Sequence, residues 1–111
     1  MERVSEILLL KALDGLSARA AASAQNIANA GTQGYRPVHV DFEQALAAAA
    51  AGGPDRIANV TPRMRTGIRG EPLRIDLELA DASAAAARYS ALVELLGRQL
   101  QLEALSVTGN R

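Results

Sequence analysis

The sequence predicts a mainly α-helical domain: long N- and C-terminal helices paired as an antiparallel, coiled-coil-like hairpin, with a short middle helix and an irregular central loop. Three observations carry this expectation. Alanine and leucine, 23 and 15 of the 111 residues, dominate the apolar set, while the aromatics are only Tyr35, Phe42 and Tyr89. Such a set suits closely approaching helices better than a sheet, which favours β-branched and aromatic side chains. Apolar residues recur at heptad spacing in both terminal zones, and all four prolines fall between them, three of them within residues 54–74. The length suits a single domain, residues 1–111, divided into an N-terminal helix (1–30), a middle segment (31–75) and a C-terminal helix (76–107).

In the first zone, Leu9, Leu13, Leu16, Ala20, Ser23, Ile27 and Ala30 step by four and three residues. That spacing places them along one helix face, as in a coiled-coil seam. The seam thins from leucine to alanine and serine, which permits a close neighbour near its end. Gly31-Thr32-Gln33-Gly34 stops the helix, because glycine adopts left-handed turn conformations cheaply. Asp41-Phe42-Glu43-Gln44 has capping-box spacing and is expected to open a short helix running to Ala51. Gly52-Gly53-Pro54 ends it, and residues 54–74 read as a loop or small hairpin.

The last zone mirrors the first. Leu79, Ala82, Ala86, Tyr89, Val93, Leu96 and Leu100 form one heptad seam, and Ala85, Leu92, Leu95 and Leu102 form a second, offset stripe. Asp76 and Glu78 suit a helix start, and Gly109-Asn110 suits a stop. At 1.5 Å per residue, each terminal helix would extend about 40–45 Å. Two helices alone cannot cover two stripes, so some apolar surface is expected to meet other subunits or partners.

Twelve basic and twelve acidic residues cancel, which disfavours wholesale nucleic-acid binding and eases self-association. The chain has no cysteine, so a disulfide scaffold and thiolate chemistry are excluded. No secretory signal pattern is visible at residues 1–10, and the longest apolar run, Ala45 to Ala51, is far short of a membrane span. His39 is the sole histidine, too little for a metal site, and it has no nucleophile context for hydrolysis. Asp41/Glu43 and Asp76/Glu78 sit at expected helix starts, where the helix dipole favours negative charge and no acid–base role is needed. Arg56, Arg63, Arg65, Arg69 and Arg74 make a basic stretch without aromatics for base stacking, which favours a solvated loop or an acidic protein partner over nucleic acid. The expectation is therefore a non-enzymatic chain with no cofactor, no metal, no small-molecule substrate and no nucleic-acid partner.

The most distinctive segment is Gln25-Asn26-Ile27-Ala28-Asn29-Ala30-Gly31-Thr32-Gln33-Gly34-Tyr35. Asn26 and Asn29 fall in the last helical turn, where their amides can bond exposed carbonyls or an adjacent subunit. Gly34 permits a sharp reversal and Tyr35 follows as an amphipathic anchor. The segment resembles the signature of bacterial flagellar axial proteins, Asn-Asn-Ile-Ala-Asn-x-x-Thr-Pro-Gly-Tyr. Asn26, Ile27, Ala28, Asn29, Thr32, Gly34 and Tyr35 match it; Gln25 replaces the first Asn and Gln33 the Pro. Val40-Asp41-Phe42-Glu43, Gly70-Glu71-Pro72-Leu73-Arg74-Ile75-Asp76-Leu77-Glu78 and Arg88-Tyr89-Ser90-Ala91-Leu92-Val93 with Leu95-Leu96 are similar to the FlgB family of proximal-rod proteins.

That resemblance implies a structural subunit of the flagellar basal-body rod, the hollow drive shaft that transmits torque for motility. It implies location in the periplasmic rod, with export through the flagellar type III apparatus without a cleavable signal. The implied partners are other rod proteins, a FliE-type basal adaptor, inner-membrane ring and export-gate components, and further copies of the chain. Leu9, Leu13, Leu16, Ile27, Tyr89, Val93, Leu96 and Leu100 are the expected core and subunit-interface residues. Asn26, Asn29, Thr32, Gly34 and Tyr35 are expected to shape the turn at the helix end. The alternative expectation is a self-associating helical-bundle adaptor.

Overall fold

The structure, a computed structural model, describes residues 3–109. It is mainly helical, and its two long terminal helices pack against each other. Helix α1 spans Arg3–Ala28 and helix α4 spans Ile75–Gly109; between them lie strand β1 (Val38–Asp41), helices α2 (Glu43–Ala50) and α3 (Pro54–Ala58), and strand β2 (Arg63–Thr66). The helices run antiparallel: Glu6 near one end of α1 faces Glu103, while Ala22 and Ser23 near the other end lie beside Glu78 and Asp81. At 35 residues, α4 is about 52 Å long, and the described chain measures 64 × 26 × 14 Å.

The core is gathered at one end. Leu16 and Ala22 of α1 meet Val40 and Phe42, Leu46 of α2, Ile57 of α3 and Ala85 of α4, and Ile57 is wholly buried. The middle segment and α4 both pack on α1, so α1 lies between them. The consequence for α4 is that its substantial contacts are with α1 alone, along one face.

Gly15 explains how Phe42 enters this core. A Cβ at Gly15 would overlap the Phe42 ring carbons Cγ, Cδ1 and Cδ2, and one helical turn later the Arg19 guanidinium sits 4.8 Å from the ring centroid. The ring is thus held between a bare stretch of helix and a cation. Gly15→Ala is expected to cost about 1–3 kcal/mol through overpacking, overriding the gain in helix propensity. Gly97→Ala, where a Cβ meets open space, is expected to stabilise by about 0.5–1 kcal/mol. Urea titration of both variants checks the contrast.

Several boundaries and contacts differ from those expected. The N-terminal helix ends at Ala28, and its chain tightens through Ala30 N–H donating to Ile27 O. The capping box does not form. Phe42 occupies the N-cap of α2 without a side-chain cap, and the Asp41 carboxylate, turned aside in β1, accepts from Arg65 Nε at 3.2 Å. Residues 54–74 contain α3, with Pro54 in its first turn where a missing N–H costs nothing. They also contain β2, which pairs antiparallel with distant β1 in the register Val38↔Thr66 to Asp41↔Arg63. The final helix begins at Ile75 and includes Gly109; Asn110, the other half of the expected stop, lies outside the described residues.

Candidate interaction surface

The turn after α1 is organised by Asn26, only 1% exposed. Its Nδ2 donates to Val38 O at 2.9 Å, while its Oδ1 accepts from Val38 N–H at 2.8 Å and from the Tyr35 hydroxyl at 2.7 Å. The side-chain amide therefore pairs with both backbone groups of Val38, acting as a one-residue extension of the strand ladder. Burial pushes the Tyr35 hydroxyl pKa up, and the nearby Glu78 charge adds to the shift. Asn29 Nδ2 donates to Gln25 O at 2.9 Å, and its Oδ1 accepts from Thr32 Oγ1 at 3.2 Å. Gly34 takes φ +77°, the left-handed conformation in which glycine is least strained. All five turn residues belong to one local arrangement, and Asn26 spends its hydrogen bonds inside the chain.

A second cluster fixes the middle segment to α1. Arg19 Nη1 and Nη2 each donate to the Glu43 carboxylate at 2.6 Å, and Nη2 also donates to Val40 O at 2.9 Å. These bonds from Arg19 hold the Glu43 pKa down at about 2. A carboxylate depressed on folding stabilises above its unfolded pKa and loses that contribution as pH falls through the folded value. The Glu43 side chain is 55% exposed, so solvent screening limits the pair to about 1 kcal/mol. Glu43→Gln is accordingly expected to lower stability by about that amount at neutral pH, with the difference from wild type vanishing between pH 4.5 and pH 2. Denaturant melts across that window test it. His39 Nε2 lies 2.9 Å from Glu71 Oε2 on the outward side of the strand pair.

The expected seam residues divide between core and surface. Leu16 is buried, and Leu9, Leu13, Ile27 and Leu96 are half-buried. Tyr89, Val93 and Leu100, expected at the core or a subunit interface, are 40%, 47% and 50% exposed. The contact with the core is made by the offset stripe, with Ala85 buried and Leu92 packed against the cluster. The buried strip cuts across both stripes: it takes Ala85 and Leu92 from the offset stripe and the half-buried Ala82 and Leu96 from the first seam, and the small Ala85 permits close approach. Leu79, Leu95, Leu102, Leu105 and Val107 are also exposed. The sides of α4 flanking its buried strip thus remain apolar and open to solvent.

The basic stretch does not converge. Arg65 pairs with Asp41 and Arg74 with Asp76, while Arg56, Arg63 and Arg69 make no ion pair among the described residues. An open groove of about 1010 Å³ runs between the start of α2 and β2, lined by Phe42, Pro62 and Met64 together with Asp41, Glu43 and Arg63. Its carboxylates and guanidiniums point to no single ligand charge. Among the described residues, no group of three or more His, Cys, Asp or Glu side chains is placed to hold a metal ion. No helix of the described residues is long and apolar enough to cross a membrane.

Gly15, Arg19 and the cation-capped Phe42 were invisible to pattern reading. The one available signal was a lone glycine inside an otherwise glycine-free helical run. No family model matches the chain, and no curated protein shows significant similarity to it. The uncovered apolar surface of α4 is therefore the feature on which a function must be argued.

Proposed function

We propose that this chain is a non-enzymatic structural subunit of a flagellar proximal rod, assembling through its terminal helices into the hollow shaft. The observation that carries the reading is the exposed apolar surface of α4, with Val93, Leu95, Leu100 and Leu102 open on a helix whose substantial contacts with other elements are to α1. Surface of that kind normally marks an interface. The Asn26 to Tyr35 turn supports the same reading, because the residues matching the axial-protein signature are those that shape the chain reversal. Subunits repeating by heterologous contacts propagate into a helical assembly, where a closed contact would stop. The partners in this reading are other rod proteins, a FliE-type adaptor, ring and export-gate components, and further copies of the chain. The rod would lie in the periplasm, reached by the flagellar type III route. Deleting the gene is expected to abolish rods and swimming, with rescue by the wild-type chain. Normal rods and motility in the deletion strain would overturn the proposal.

A further inference from the structure

The outward side of α4 carries a second complete heptad seam. Leu79, Ala86, Val93, Leu100 and Val107 recur every seven residues, and every one of them is exposed. Four residues after each of the first four stand Ser83, Ser90, Gly97 and Ala104, likewise exposed. The two rows alternate at four- and three-residue steps for about four heptads and contain no charged side chain. That is the spacing of a coiled-coil seam with one row that is large except at Ala86 and one small row. None of these residues belongs to the core cluster, which α4 joins through Ala85 and Leu92.

We propose that this seam pairs with the same seam of a second copy, in antiparallel orientation, to form a two-fold homodimer. Row complementarity selects both partner and direction. In the antiparallel register centred between Ala91 and Leu92, Leu79 meets the partner's Ala104 and Ser83 meets the partner's Leu100. Ser90 likewise meets the partner's Val93. Each of these three layers sets a large side chain against a small one, and the remaining distinct layer sets Ala86 against the partner's Gly97. Parallel self-pairing would set Ser90 on Ser90, Gly97 on Gly97 and Leu100 on Leu100, leaving holes beside crowded layers. A two-fold interface needs one self-complementary patch, which this uncharged face supplies. Net neutrality removes long-range repulsion between the copies. The dimer rests on this seam alone and is independent of the flagellar reading; in a growing rod, the second copy would be displaced from the seam by a neighbouring subunit.

The chain has no cysteine, which makes the test direct. Wild-type protein at about 100 µM is expected to sediment at twice its 11.6 kDa chain mass. Ser83→Cys and Leu100→Cys alter exposed positions outside the core cluster. Mixed and mildly oxidised, the two variants are expected to form a disulfide-linked dimer, while either alone stays uncross-linked, since bridged Cα atoms must lie within about 7 Å. A monomeric wild-type chain at that concentration would overturn the proposal. So would self-cross-linking of Ser83→Cys alone, the signature of parallel pairing, or failure of the mixture to cross-link.

Discussion

Asn26→Ala is expected to destabilise the chain by about 3 kcal/mol, the largest effect of any single substitution considered. Three hydrogen bonds disappear together, and Val38 loses a partner for both its N–H and its C=O where water is poorly admitted. A net hydrogen bond contributes about 1 kcal/mol, and leaving a buried backbone group unpaired costs about 1–3 kcal/mol more. Asn26→Asp keeps the volume but turns an oxygen toward Val38 O, so it is expected to be about as harmful as alanine. Urea denaturation measures both variants. Hydrogen exchange at Val38 should accelerate in each, since the strand start is no longer tied to α1. Wild-type stability in either variant would mean that the turn is held by something other than this amide.

Val93→Glu is expected to separate assembly from folding. The side chain is 47% exposed and belongs to no core contact, so stability should stay within about 0.5 kcal/mol of wild type. A charge on the outward seam, however, must be desolvated whenever another helix covers it, and a buried unpaired carboxylate is strongly unfavourable. Incorporation into rods should therefore fail while circular dichroism, and melting at concentrations dilute enough for the chain to be monomeric, remain unchanged. Leu96→Glu is a less discriminating probe: Leu96 is half-buried, so the charge would disturb the helix pair as well as any interface. Restored swimming with Val93→Glu would remove this face from the assembly surface.

The helical frame was legible because heptad spacing over 26 and 35 residues leaves little choice of secondary structure. The phase of α4 was not. Two stripes of similar character lay side by side, and the strip that α1 covers, Ala82, Ala85, Leu92 and Leu96, draws from both, a tertiary fact with no local sign. The four-residue strands escaped notice for a related reason: β1 and β2 are too short to show alternation, and their partnership spans more than twenty residues. Asp41 misled because capping-box spacing also occurs where the acid is already committed, here to Arg65 across the strand pair. The turn motif was readable as a helix stop, but the ladder-like grip of Asn26 on Val38 depends on a chain reversal that spacing alone does not specify. Likewise, Gly15 acquires meaning only when Phe42 is seen against it.

In the proposed rod, α4 presents its outward apolar face to neighbouring subunits. A photo-cross-linking amino acid at Val93, introduced into the chain in its native cell, tests that claim most directly. After irradiation and purification of basal bodies, the account expects the chain within the rod fraction, cross-linked through position 93 to a rod protein or to another copy. Basal bodies with complete rods that lack this chain would contradict it.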